Sequence, residues 1–276
     1  MDNDRVCNAG MNFSLLLPTR GRVRLVQRLF DSVVQTSSNV GRLEVVLYID
    51  EDDQESREIF HPELSLVKII GQPGESMGSM NRACYEASQG RYVMLMNDDA
   101  VFRTPNWDAC VLDLASRFPD EIALVYGNDL DQGETVPTFP IVSRTVVEIV
   151  GEICPRGYRN LHIESHILDI FKQLARMGYD RICYLDDVVF EHMHYAVGKG
   201  ERDSTSIKKN QRADDLLFIA LNDERAFKAK LLARHIDAID SASSKQAVDG
   251  SESIRGIHAR ERNRFAARLR RIFHLR

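Results

Sequence analysis

The chain has 276 residues, 43% of them hydrophobic, which is enough to bury the core of one large α/β domain with an appendage. Its 36 Lys and Arg residues against 41 Asp and Glu residues give a formal net charge of −5, which excludes an overall basic field for nucleic acid. The five cysteines form no C-x-x-C pair, so they favour neither a disulfide framework nor a zinc site. With a first apolar segment too short to span a bilayer, the chain is predicted to be a soluble, cytoplasmic protein without a secretion signal.

Short apolar runs alternate with amphipathic stretches, which predicts alternating strands and helices in a mostly parallel sheet. Strands are predicted at 13–17, 43–49, 66–70, 92–96 and 123–126, and helices at 23–36, 80–87, 109–118, 143–150 and 163–177. An irregular stretch that holds Pro137 and Pro140 follows the fifth strand. Gly178 is placed to stop the last helix, and residues 182–185 and 188–193 are predicted as paired or consecutive extended segments.

The last part of the chain is polar and then basic. Residues 241–253 (SASSKQAVDGSES) have the composition of a linker. Residues 254–276 carry eight arginines against Glu261 alone, and their apolar residues can share one helix face. Four interpretations stay open for this segment: a helix on an anionic membrane, a nucleic-acid contact, a helix docked on its own acidic domain, or a solvated basic helix.

Polar clusters at the ends of predicted strands are the first candidates for a site, because open α/β sheets bind ligands outside the carboxyl ends of their strands. Four clusters stand out, at 18–21 (PTRG), 50–53 (DEDD), 78–82 (GSMNR) and 97–99 (NDD). In the last, an apolar strand delivers an amide and two carboxylates. Mg²⁺ and Mn²⁺ prefer such oxygen ligands, often together with substrate phosphate. A solvated turn is the alternative interpretation.

Three segments together resemble a known family. FSLLLPTRGR, a strand that ends in Asp50, and SMNRACYEASQGRYVMLMNDDA are similar to the donor-binding half of family 2 glycosyltransferases with the GT-A fold. The resemblance implies an α/β fold with a Rossmann-like, mostly parallel central sheet flanked by helices and with a C-terminal helical appendage. It implies a donor half at 12–100 and an acceptor half at 101–200, followed by a helical extension at 201–240, the linker and the basic helix.

The resemblance also implies roles for single residues in donor binding. Those implied to contact the nucleotide, its ribose or its diphosphate are Pro18, Thr19, Arg20, Asp50, Gly78, Asn81, Arg82, Asn97 and Asp98. Asp99 is implied to bind the metal, with Mn²⁺ or Mg²⁺ as the cofactor. Asn97 departs from the family pattern, where an acid is more common, so the metal site is expected to be less negative.

The second half extends the resemblance through IVSRTVVEIVG and HIESHILDIFKQLARMGYDRICYLDDVVFEHMH. It implies that Glu164 is the general base for the acceptor hydroxyl, with Asp169 as the reserve candidate. The alternative for Glu164 is an acid that caps the helix. His192 and His194 share one face of an extended run, and the resemblance implies that one of them is a metal ligand. The loop at 195–203, which contains Lys199, is either a lid over the diphosphate or an ordinary mobile loop.

The function implied by the resemblance is transfer of a sugar from a nucleoside diphosphate sugar, expected to be a UDP-sugar, to an acceptor hydroxyl with inversion. The implied partners are this donor and a glycan, lipid-linked or other acceptor. Membrane-surface contact of the basic helix is preferred over nucleic acid, which would place the protein peripherally on the inner membrane surface. Two alternatives are kept: a sugar nucleotidyltransferase, which usually has a more Gly-rich first loop, and a catalytically degenerate scaffold, suggested by Asn97 and the unusual Glu164-Ser165-His166.

Overall fold

The architecture is α/β, with one eight-stranded sheet flanked by helices. The structure, a computed structural model, describes residues 10–194, 198–199 and 211–242. The strands are β1 (Phe13–Thr19), β2 (Leu43–Asp50), β3 (Ser65–Gly71), β4 (Tyr92–Leu95), β5 (Ala100–Phe102), β6 (Leu124–Asn128), β7 (Ile141–Ser143) and β8 (Ile182–His192). The helices are α1 (Val23–Thr36), α2 (Gln54–Arg57), α3 (Met77–Ala87), α4 (Trp107–Ala115), α5 (Arg144–Val150), α6 (Ile163–Arg176), α7 (Gln211–Ala220) and α8 at 222–242.

The sheet has the order β3-β2-β1-β4-β7-β6-β8-β5. Its first four strands are parallel to one another, as are β6 and β8. Antiparallel pairing is confined to β7, which lies between β4 and β6, and to β5 against β8. The expected mostly parallel sheet with flanking helices is therefore confirmed.

The predicted elements are present, with ends that shift by a few residues. Helix α3 begins earlier than expected because the hydroxyl of Ser76 accepts a hydrogen bond from the N–H of Ser79 at 3.1 Å and caps the first turn. Helix α6 ends as expected, since Gly178 adopts a φ of 99° and its N–H donates to Ala175.

The sequence did not predict the two short strands β5 and β7. The stretch predicted to be irregular ends in β7, and the two extended segments after residue 181 form the single strand β8. A register shift beside Gly127 and Asn128 lets β8 leave β6 and pair with β5 instead. A strand of three residues is too short to show a periodic pattern of apolar residues. Such a strand forms because of the strands with which it pairs.

An aromatic cluster packs against the β8–β5 end of the sheet. Trp107 is fully buried, and its ring centroid lies 4.9 to 5.6 Å from those of Phe13, Phe102 and Phe190. Each such pair adds about 0.5–1.5 kcal/mol beyond burial alone. The cluster joins β1, α4, β5 and β8, so it packs the strand that follows the β4–β5 connection against the central part of the sheet.

The chain divides into two compact units, Met1–Ala233 and Arg234–Arg276, and the contacts described below lie within the first. Of the predicted extension at 201–240, residues 211–240 are helical apart from a turn at Leu221. The predicted linker begins within α8, while its remainder and the basic segment at 254–276 lie outside the described residues. Among the helices that the structure describes, none has both the length and the apolar character to cross a membrane.

Candidate functional site

The carboxyl ends of β1, β2 and β4 meet at one edge of the sheet, as the parallel order requires. Pro18 is tolerated near the end of the central strand β1 because β4 pairs with β1 only as far as Leu16. This edge therefore carries Thr19, Asp50 and, just beyond β4, Asn97, which is partly exposed. Three of the four predicted clusters are brought together here.

Arg20 is held by the acids that follow β2. Its guanidinium donates to Asp50 Oδ2 at 2.5 Å and pairs with both oxygens of Asp52. These two carboxylates, that of Asp52 first, raise the pKa of Arg20, and Arg20 in turn lowers the pKa of Asp52. The N–H of Gly21 also donates to Asp53 Oδ2 at 2.7 Å. The loop after β1 is thus fixed to the end of β2.

Asp98 is buried and has both oxygens engaged. Its Oδ2 accepts from the hydroxyl of Thr19 and its Oδ1 from Arg22 Nη1, each at 2.8 Å. Burial raises the pKa of Asp98, and the charge of Arg22 offsets this only in part. Asp98 therefore connects the ends of β1 and β4.

Asp99 differs from its neighbour because its Oδ1 is buried and has no hydrogen-bond partner among the described residues. Nε2 of His192 lies 3.3 Å from this oxygen, but the two do not have the geometry of a hydrogen bond. Burial raises the pKa of Asp99, but His192 and then Arg22 outweigh it, so the pKa lies below its usual value. A buried carboxylate oxygen without a donor, beside an imidazole nitrogen, fits a divalent cation.

The second histidine lies close to the first, because the rings of His192 and His194 are 5.1 Å apart. Asp129 and Asp131 each offer an oxygen that, with a nitrogen of His192, forms a group within 4.8 Å. Asp129 is less available, since its Oδ1 accepts three backbone N–H groups and its Oδ2 the hydroxyl of Thr138. The residues best disposed to hold a metal are therefore Asp99 and His192, with the exposed Asp131 next.

The third predicted cluster lies at the start of α3. The N–H of Gly78 donates to Tyr158 at 2.9 Å, and a Cβ on Gly78 would lie 2.1 Å from the carbonyl oxygen of Pro155. The buried Asn81 donates to Met77, while its Oδ1 has no partner among the described residues. Arg82 pairs with Glu86 at 3.1 Å and with Glu152 at 3.4 Å. Only Asn81 has a buried polar atom left for a ligand or a water.

The predicted base lies in the first turn of α6. Glu164 is partly buried, and its charge raises the pKa of the buried Cys154 thiol after the larger effect of burial. The cap of α6 is His162, which makes no side-chain hydrogen bond to the helix. Asp169, the reserve candidate, accepts from Arg225 Nε at 2.6 Å and from Gln173 at 2.8 Å. Asp169 is thus held in an ion pair.

The loop predicted as a lid is described only at residues 198 and 199. Lys199 lies 2.9 Å from Glu191 Oε1, and Arg103 lies 2.7 Å from the other oxygen of Glu191. The remaining residues of this loop are outside the described part of the chain.

Several residues of the site region were not predicted from the sequence. Arg22, which pairs with Asp98, and Asp131 have no distinguishing pattern around them. Arg225 and Lys228 are almost fully buried and pair with Asp169 and with Glu152, the latter at 2.6 Å. A run of mixed charges in a helical stretch gave no signal of burial, because exposed helices have the same composition.

No protein-family model matches the sequence, and no curated protein matches it significantly. Solved structures do match in fold. Mannosyltransferase PcManGT from Pyrobaculum calidifontis, in complex with GDP-Man and Mn²⁺, has a TM-score of 0.54 at 15% identity, over 88% of this chain and 82% of that one. TarS 1–349 from S. aureus, in complex with UDP-GlcNAc, has a TM-score of 0.54 at 14% identity, over 82% and 72%.

Glucosyl-3-phosphoglycerate synthase from Mycobacterium tuberculosis, in complex with Mn²⁺, UDP and glucosyl-3-phosphoglycerate, has a TM-score of 0.52 at 17% identity, over 80% and 81%. The match spans only 36% of another TarS structure and 59% of TarS 1–349 with UDP. These proteins have the GT-A fold, so the GT-A α/β fold expected from the sequence is confirmed.

Proposed function

We propose that this chain is a glycosyltransferase that moves a sugar from a nucleoside diphosphate sugar to an acceptor hydroxyl with the help of a divalent metal. The observation that carries the proposal is Asp99, whose buried Oδ1 lacks a donor and lies 3.3 Å from His192 Nε2. This pair lies beyond the carboxyl end of β4 in a GT-A fold, where an open α/β sheet binds its ligand. The nucleotide sugars and Mn²⁺ in structures of the same fold support it.

The donor is proposed to lie across the ends of β1, β2 and β4. Asp50, with Arg20 as its partner, would meet the base of a UDP-sugar, and Pro18 and Thr19 would line the same edge. Asn97 and Asn81 would meet the ribose or the diphosphate. Further contacts to the donor are proposed for Asp98, Gly78, Arg82 and Lys199.

The reaction proposed is a single displacement with inversion. Glu164 would take the proton of the acceptor hydroxyl, because it is the acid in the first turn of α6. Asp169 is the weaker candidate, since Arg225 holds it in an ion pair. Asp99, with His192 or His194, would hold Mn²⁺ or Mg²⁺, and the ion would supply positive charge against the charge that develops on the leaving diphosphate.

The test is the thermal stability of the purified protein with UDP, GDP, CDP and their sugars, each with and without Mn²⁺. A ligand that binds the folded state raises the melting temperature. We expect a Mn²⁺-dependent rise with one nucleotide, largest with its sugar, that is abolished in Asp99→Ala. The rise should be kept in the surface control Arg117→Ala, whose side chain is 67% exposed in the turn after α4.

A product assay separates the rivals. Release of a nucleoside diphosphate from the bound sugar nucleotide supports the transferase, whereas release of pyrophosphate would make the chain a nucleotidyltransferase. Binding without turnover for any acceptor would identify a scaffold, and no rise with any nucleotide would overturn the proposal.

A further inference from the structure

A second polar groove lies between α1 and β5. It has a volume of about 510 Å³. Its cationic lining consists of Arg24, Arg28 and Arg103, and Asp31 is its one acid. The groove adjoins the backbone of Asp99, because the groove-lining Met193 donates its N–H to the carbonyl oxygen of Asp99 at 2.9 Å. Its lining residues include none of the residues proposed to bind the donor or the metal.

Two of the arginines have unused hydrogen-bonding capacity. Arg24 is exposed, and within the described ranges it has no carboxylate partner. Arg28 makes a long contact of 3.5 Å to the carbonyl oxygen of Asp99, and its buried Nε has no acceptor among the described residues. The two lie four residues apart on one helix face, where like charges repel. An anion between them would remove that cost.

The acids near the groove neutralise it only in part. On α1, Asp31 is the one acid in the lining beside the two arginines Arg24 and Arg28, and it also lies 3.5 Å from His61 Nε2 and 3.4 Å from the amide nitrogen of Gln27. Arg103 shares the single carboxylate of Glu191 with Lys199. An excess of positive charge therefore stays on the α1 side of the groove.

From this arrangement we infer that the α1–β5 groove binds a phosphate group, held by Arg24 and Arg28 with Arg103 at its far side. Planar guanidinium groups bind phosphate in a bidentate manner, and a groove with two of them on one helix face suits a phosphate monoester. The inference does not depend on the glycosyltransferase proposal. The phosphate could belong to a soluble phosphate ester or to a lipid headgroup.

The experiment measures the melting temperature of the full chain with inorganic phosphate and with glycerol 3-phosphate, at constant ionic strength set with chloride. A rise of about 2–4 °C is expected at a tenfold excess over the dissociation constant. It should disappear in Arg24→Glu and shrink in Arg28→Gln. It should remain in Arg117→Glu, which makes the same charge change in the exposed turn after α4. Since Arg24 is exposed and unpartnered in the described structure, its replacement leaves the fold intact.

A second arm uses sedimentation with phosphatidylcholine vesicles that contain or lack phosphatidic acid. Sensitivity to Arg24→Glu in the vesicle arm alone assigns the site to a lipid headgroup, and sensitivity in the soluble arm assigns it to a free ester. Both responses should persist in Asp99→Asn, which separates this groove from the donor site. If neither response changes in Arg24→Glu, or neither ligand binds, the inference is wrong.

Discussion

Acidic side chains are used differently in two regions of this molecule. At the edge of the sheet, Asp98 has both oxygens satisfied, but its neighbour Asp99 has a buried oxygen with no donor in the described structure. Beside α6, the acids Asp169 and Glu152 are each held by a buried cation of α8, Arg225 and Lys228. A buried carboxylate without a donor costs stability, so it persists where a ligand supplies the missing charge. Pairing, rather than burial, thus separates the candidate binding acid from the structural ones.

The largest effect is expected when the buried ion pair of Asp169 with Arg225, on the structural side of this comparison, is removed. Arg225→Ala removes the partner of Asp169, the hydrogen bond to the carbonyl oxygen of Phe218 at 2.6 Å, and a cation–π contact of 3.9 Å with the same residue. We expect a loss of about 3 kcal/mol in the free energy of unfolding, since Asp169 would lose its buried partner. Urea denaturation measures it, with the exposed pair member Arg117→Ala as the control, expected within about 0.5 kcal/mol. Equal losses in both would contradict the structural role of Arg225.

Gly78→Ala tests the close approach between α3 and the loop after α5. The added Cβ would lie 2.1 Å from a backbone oxygen, so one of the two segments must move. A loss of about 2 kcal/mol is expected from such overpacking. The matched change Gly41→Ala, where the nearest atom is 3.5 Å away, should be close to neutral. Thermal unfolding of both proteins gives the comparison, and equal midpoints would be evidence against the contact.

Two isosteric changes test whether Asp99 and Asp98 differ in their contribution to metal binding. Asp99→Asn should weaken Mn²⁺ binding at least about tenfold, or about 1.4 kcal/mol. Asp98→Asn should weaken it less, because both oxygens of Asp98 are already engaged by Thr19 and Arg22. Electron paramagnetic resonance of free Mn²⁺ measures both affinities. Similar losses in the two variants would show that Asp98 is a ligand as well.

The smallest effect is a pH dependence. Burial raises the pKa of Asp169, but Arg225, Gln173 and Arg176 outweigh it, so its pKa is lowered in the folded protein. Its stabilising contribution is therefore complete above the unfolded value of about 4 and is lost as the pH falls through the folded value. The stability difference between the native protein and Asp169→Asn should be largest at neutral pH and should shrink in acid. A difference that stays constant down to the acid transition would rule out this linkage.

The sequence predicted most of the fold because the parallel half of the sheet consists of apolar strands followed by amphipathic helices. Val23–Thr36 has the bounds that its periodicity indicated. The sequence did not predict β5 and β7, since strands of three residues depend on partners distant in the chain. The sequence also predicted that Thr19, Asp50 and Asp98 lie at one edge of the sheet, because parallel strands end on the same side.

The pairing of the polar residues was not predictable in the same way. Nothing in the sequence shows that both oxygens of Asp98 have hydrogen-bond donors while Asp99 Oδ1 has none among the described residues. The donors to Asp98 are Thr19 and Arg22, which lie 79 and 76 residues away in the chain. Likewise, the ion pair of Asp169 with Arg225 joins two helices, and its geometry exists only once both have packed. The roles of Glu164, His194 and Lys199 stay predictions.

Strand β8 decides which imidazole faces Asp99, since it pairs with β6 along its first part and with β5 at its end. A slip of one residue would turn His192 away and bring Glu191 or Met193 into its place, whereas a slip of two would bring His194 there. A second imidazole therefore follows two residues beyond the end of the strand. An evolutionary deletion of two residues in the exposed stretch at 186–187 would keep a nitrogen beside the carboxylate, and a deletion of one would not.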